Sequence, residues 1–117
     1  MATSVDCIFC KIAAGKIEAD VVHENDGVIA FRDLNPQAPT HVLIIPRRHV
    51  ATINDLTENE AGDVGHLFLA AKQVAKMEGL DESGYRVVMN CMEGAGQSVF
   101  HIHLHLLGGR KLRWPPG

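Results

Sequence analysis

Between His101 and Leu106 the chain alternates without a break, His-Ile-His-Leu-His-Leu. Successive side chains of a β-strand point to opposite faces, so this run demands a sheet with two unlike sides. Residues two apart lie ~6.6 Å apart along a strand. His101, His103 and His105 therefore fall on one face, and Phe100, Ile102, Leu104 and Leu106 on the other. The apolar side predicts packing against a helix. The imidazole side differs from an ordinary solvent face, for which Thr, Lys or Glu would serve as well. Two chemistries suit it: shared ligation of zinc, or attack on phosphorus by an imidazole that is mostly neutral near pH 7. In the second, a neighbouring imidazolium would hold phosphoryl oxygens or supply protons.

Such a strand needs partners, and the chain supplies them. Residues 20–26 and 27–34 read as two short strands joined by an Asn-Asp-Gly turn. Two prolines make 35–39 a rigid loop. Residues 40–49 read as a third strand, its run Val42 to Ile45 buried on both faces and Pro46 at its end. Residues 84–92 give a fourth strand and 99–109 the fifth. A short helix is predicted over 7–17, with Gly15 near its end. The long helix lies within 56–79. Thr57 and Glu60 form its capping box, Val64, Leu67, Phe68, Ala71 and Val74 its apolar stripe, and Gly79 its stop. One α+β domain over residues 1–117 with a largely antiparallel sheet is expected.

The formal net charge of −3, with no basic block, argues against a nucleic-acid surface. A single nucleotide is not excluded, because one small anion needs only local donors. No apolar run approaches the ~20 residues that cross a bilayer, and the start MATSVDCIFCK lacks a signal-peptide pattern. Three cysteines, two of them spaced Cys-x-x-Cys, argue against a disulfide framework. A cytoplasmic protein, or one shared with the nucleus, is the expectation.

The loop EGAGQS enters the histidine run. Gly94 and Gly96 would let backbone N–H groups converge on an anion, with Gln97 and Ser98 adding side-chain donors. Cys7 and Cys10 have two readings. They are buried small hydrophobes, or half of a structural zinc site that His49 and His101 would complete.

The run HIHLHLL matches His-φ-His-φ-His-φ-φ, where φ is apolar. With FRDLNPQAPTHVLIIPRRH, GYRVVMN, GQSVFHIHLHLLGGR and the terminal WPPG, it makes nearly the whole chain resemble the histidine triad (HIT) nucleotide-binding proteins, the protein kinase C inhibitor-like branch. The resemblance implies the HIT fold, with five strands, one long and one short helix, and the sheet continued across a homodimer. It implies a hydrolase that cleaves the P–N bond of adenosine 5′-monophosphoramidates, giving AMP and an amine. No catalytic cofactor is implied. Related readings remain: a dinucleoside polyphosphate hydrolase, a zinc-dependent hydrolase using the three histidines, and a non-catalytic nucleotide-binding regulatory module.

By position, the resemblance makes His103 the nucleophile and His105 the phosphate contact, with His101 and His41 as the supporting pair. Ser98 corresponds to the hydroxyl that protonates the leaving amine. Asn90, Gly96 and Gln97 correspond to phosphate or nucleoside contacts, and Asp33 to the ribose-binding acid. Ile8, Phe9, Ile12, Phe31 and Leu34 resemble the lining of the base pocket. Trp114 would act on the leaving group across the dimer. In itself Asp33 reads as a turn cap, and Trp114 as packed on its own chain. His101 is claimed by both the zinc site and the triad. Cys91 reads as a core thiol.

Overall fold

A computed structural model describes residues 6–117; residues 1–5 of the expected 1–117 domain lie outside it. Five strands follow in chain order: β1 (Val21–Glu24), β2 (Val28–Arg32), β3 (Thr40–Pro46), β4 (Tyr85–Val88) and β5 (Leu104–Gly108). They form one sheet in the order β1-β2-β3-β5-β4, every neighbouring pair antiparallel. The β1–β2 turn forms because Asn25 Oδ1 accepts the N–H groups of Gly27 and Val28 at 2.8 and 3.0 Å. After β3 the chain crosses one face as α2 (Ala61–Met77) and returns as a β4–β5 hairpin that inserts β5 beside β3.

Both faces of the central strands are covered, so every residue of β3 is buried. On one face, Val28, Ala30, Val42 and Ile44 meet Leu67, Ala71 and Val74 of α2, together with Ile102, Leu104 and Leu106. Each large aliphatic side chain buried this way contributes roughly 1.5–3 kcal/mol. On the other face, Ile29, Phe31, Leu43 and Ile45 pack against Phe9 and Ile12 of α1 (Ile8–Ala13). A bidentate pair, Arg32 to Glu78 at 3.0 and 3.1 Å, ties the end of β2 to the end of α2.

Four expectations change. The histidine strand is shorter than 99–109: pairing begins at Leu104, so His101 and His103 precede the ladder, although the inside–outside alternation continues through them. Phe100 is exposed and takes no part in the aliphatic side. Phe68 is also exposed, because the sheet needs only a narrow stripe of α2. The capping box of Thr57 and Glu60 closes a 3-10 turn, Glu58–Glu60, one turn before α2 begins.

Candidate active site

The imidazoles lie on the α1 side of the sheet and they are not a solvent face. His101 and His103 are buried and His105 is half-buried. β5 pairs His105 with Leu43, and two residues back along β3 stands His41. Phe9 sets its ring edgewise against His103, with centroids 5.1 Å apart.

Main-chain groups fix the proton on three of the rings, and His41 orders the fourth. A carbonyl oxygen only accepts, so a ring nitrogen facing one must be N–H. His103 Nδ1 donates to the His101 carbonyl at 2.8 Å, leaving Nε2 as the nitrogen with the lone pair. His101 Nε2 donates to the Pro46 carbonyl at 2.8 Å, leaving its Nδ1 bare. His41 is fixed the other way: its Nδ1 accepts the Gln37 N–H at 3.0 Å, so its Nε2 carries the proton and donates to His105 Nδ1 at 2.9 Å. Neutral His105 then presents N–H at Nε2.

Burial lowers all four imidazole pKa values. His101 and His105 fall to about 4, driven first by desolvation and next by neighbouring histidines, although the Pro46 bond opposes the shift at His101. His103 is lowered by burial against its bond to the His101 carbonyl. His41 is lowered by burial against the nearby Asp33 carboxylate. The expected imidazolium beside the nucleophile is therefore corrected. His105 is a neutral donor, because a second proton at Nδ1 would face the N–H of His41.

Asp33, at the end of β2, accepts the Asn35 N–H at 2.7 Å, as a turn cap does. Its other oxygen lies 3.4 Å from His41 Nε2. Asp33 also lines a cavity of about 270 Å³, just under the usual ~300–1,000 Å³ of ligand pockets. Ile8, Phe9, Ile12, Phe31 and Leu34 line it on the apolar side, with Asp33, Ser98, His103 and His105 on the polar side. A broader groove of about 660 Å³ beside His49 contains no triad imidazole.

Other site residues lie apart from that cavity. Gln97 is buried, its Oε1 accepting the Met92 N–H at 2.8 Å and its Nε2 donating to the Ala51 and Val99 carbonyls. The N–H groups of Ala95, Gly96 and Gln97 bond back to Met92 and Glu93. The glycine loop is thus a closed turn at these positions, and Gln97 offers no spare side-chain donor. Asn90 is half-buried beside it, its Nδ2 3.9 Å from where a Cβ on Gly96 would stand. Trp114 is exposed on the tail and does not pack on its own chain.

Cys7, Cys10, His49 and His101 converge at a second centre, their ligand atoms all within 4.8 Å. His101 Nδ1 is 3.4 and 3.5 Å from the two sulfurs and 3.2 Å from His49 Nδ1, which is 3.3 Å from Cys10 Sγ. A tetrahedral zinc with Zn–N of ~2.0 Å and Zn–S of ~2.3 Å has edges of roughly 3.3 to 3.8 Å. The set fits zinc, and two thiolates would balance its charge. The two claims on His101 are compatible in space: its ring faces this centre, and its carbonyl accepts the Nδ1–H of His103. Asp33, His41 and His105 also bring ligand atoms within 4.8 Å. There, Nε2 of His41 could bind a metal only by losing its proton, because Nδ1 already faces an N–H donor. That set suits a proton better. None of the main-chain partners was visible in the sequence, because carbonyl and N–H groups carry no side-chain signature.

Fold and site together define a small α+β domain with proton-ordered imidazoles, two of which, His103 and His105, line a cavity of about 270 Å³. The HIT domain family matches residues 14–112, and the chain belongs to that family. It is 47% identical over 107 residues to the purine nucleoside phosphoramidase of Escherichia coli K12, covering 92% of this chain and 90% of that protein. It superposes on a HIT family hydrolase from Legionella pneumophila with a TM-score of 0.94 at 55% identity, covering 96% and 100% of the two chains. A Zn-bound histidine triad family protein from Mycobacterium smegmatis matches with a TM-score of 0.80 at 29% identity, covering 92% and 78%.

Proposed function

We propose that the protein is a purine nucleoside phosphoramidase, hydrolysing adenosine 5′-monophosphoramidates to AMP and an amine through a nucleotidyl-histidine. The observation that carries this reading is the ring of His103, whose Nδ1–H donates to the His101 carbonyl so that Nε2 is left bare, in the wall of the pocket. Similarity to the E. coli phosphoramidase points to the same chemistry.

The adenine enters against Phe9, Phe31 and the isoleucines, and the ribose hydroxyls donate to Asp33. Nε2 of His103 forms a bond to the α-phosphorus as the P–N bond to the amine breaks. The ring becomes cationic, and its Nδ1–H bond to the His101 carbonyl strengthens, which favours the transition state over the ground state. His105 donates Nε2–H to a phosphoryl oxygen as its charge grows. Ser98 passes its hydroxyl proton to the departing nitrogen, since an amine leaves poorly as an anion. Water then bonds to phosphorus, the P–Nε2 bond breaks, and a water proton restores Ser98. Asn90, Gly96 and Gln97 shape the loop that carries Ser98.

The Cys7–Cys10–His49–His101 centre would hold a structural zinc, with no step of hydrolysis routed through it. β4 is an edge strand of the sheet. We infer that two copies pair there as a homodimer, bringing the exposed Trp114 to the partner's leaving-group side. Residues 1–117 form one domain in this reading, acting in the cytoplasm on purine nucleotides without nucleic-acid or membrane partners.

Mass spectrometry on protein quenched during turnover of a fluorogenic adenosine phosphoramidate tests the reading. An AMP adduct on the His103 peptide is expected, and His103→Ala should lose nearly all turnover. Unimpaired turnover in that variant, or faster cleavage of dinucleoside polyphosphates, would replace the reading.

A further inference from the structure

His101 stands at a junction. Its ring reaches Cys7, Cys10 and His49, while its carbonyl holds the Nδ1–H of His103 at 2.8 Å. Residues 101–103 precede the β5 ladder. Outside that ladder, Ile102 N–H bonds to the Val50 carbonyl at 2.8 Å, and the ring of His101 bonds to the Pro46 carbonyl. Outside the ladder, the backbone that aims the nucleophile is thus held by one main-chain bond and by the ring of a fully buried His101.

We propose that metal bound by Cys7, Cys10, His49 and His101 positions the nucleophile, and that its occupancy thereby sets the rate of attack by His103. The proposal rests on the phosphoramidase reading and on the fit of this centre to zinc. The metal would join three parts of the chain: α1 through Cys7 and Cys10, the segment after β3 through His49, and the entrance to β5 through His101. Two routes lead from it to His103. One is the His101 carbonyl. The other is α1, which carries Phe9 and its edge contact with the His103 ring at 5.1 Å. Without the metal, the bare Nδ1 of His101 faces two thiols and His49, contacts that any rotation of these side chains can rearrange. With it, the ring is fixed by a coordinate bond and the carbonyl can no longer drift. His101 is then a positioning residue whose main chain is its working part.

Stripped and zinc-loaded protein should be compared where both keep the same far-UV circular dichroism. Three quantities are measured: zinc per chain, the ¹⁵N signals of the His103 ring, and the single-turnover rate of adduct formation. Loaded protein should hold one zinc per chain and a single His103 tautomer, protonated at Nδ1. Stripping should broaden or split that signal and slow adduct formation about 10-fold, the low end of what partners one step removed from a metal site cost. AMP affinity should change less. His49→Ala should reproduce the stripped state, and His49→Cys, which restores a ligand, should reverse it. A role confined to stability would leave the tautomer unchanged. Zinc bound at one per chain with the same tautomer and rate in both states overturns the coupling. Failure to bind zinc overturns the centre and the coupling while leaving the phosphoramidase reading intact. Complete loss of turnover on stripping, with His103 still correctly protonated, would mean the metal itself is catalytic, overturning the positioning role.

Discussion

Nε2 of His41 lies 2.9 Å from Nδ1 of His105, and the Gln37 N–H behind His41 decides which of the two carries the proton. This order can be tested by substitution. His41→Gln places an amide N–H near the position of Nε2 and should retain activity within about 10-fold. His41→Glu places an acceptor there, draws the His105 proton to Nδ1 and removes the donor from the phosphate. Losing one such donor costs about 10²–10³ in kcat. Steady-state kinetics on the two variants checks the prediction, which fails if Glu is tolerated as well as Gln.

The buried imidazoles make stability depend on pH. His105 falls from 6.5 to about 4 in the folded chain, chiefly through burial. The unfolded chain therefore binds a proton first as pH drops, and stability is lost from about pH 6.5 down to about 4. Above that window both states are neutral at this group and the dependence vanishes. Urea denaturation of metal-free protein at pH 7 and pH 5 should show a lower midpoint at pH 5, and His105→Asn should shrink the difference, leaving the part that the other lowered imidazoles, His101 foremost, contribute.

Gln97→Ala removes the acceptor of the Met92 N–H and the donor to the Ala51 and Val99 carbonyls. A buried polar group left without its partner costs about 1–3 kcal/mol. The melting temperature should fall accordingly. Because Gln97 shapes the loop, turnover should fall through misplacement of Ser98, with nucleotide affinity much less affected.

Gly109 follows β5 at φ +92°, and a Cβ there would stand 2.8 Å from Cβ of Pro39. Alanine must adopt an unfavourable backbone conformation and also displace a rigid ring, together about 2–4 kcal/mol. Gly109→Ala should therefore lower the denaturation midpoint clearly. Gly15→Ala, with nothing within 4 Å of the added Cβ, should cost less.

Five strands and two helices were legible in the sequence because alternation and a capping box are local signals. The start of pairing only at Leu104 was not, since the same alternation runs through residues on either side of it. The grouping of Cys7, Cys10, His49 and His101 was legible from residue type. The division of His101 between ring and carbonyl was not, and neither was the Arg32–Glu78 pair, whose partners are far apart in sequence. Gln97 misled because an amide in a glycine loop looks available until its partners are seen.

Ile8, Phe9 and Ile12 of a six-residue helix line one side of the pocket, whereas the imidazoles stand on β5 and the segment that leads into it. Of these, Ile8 is exposed and Ile12 is buried. In the proposed reading, changes at these two positions of α1 would alter which nucleobase the pocket admits and leave the imidazoles untouched. In this fold, changing guests does not require rebuilding the house.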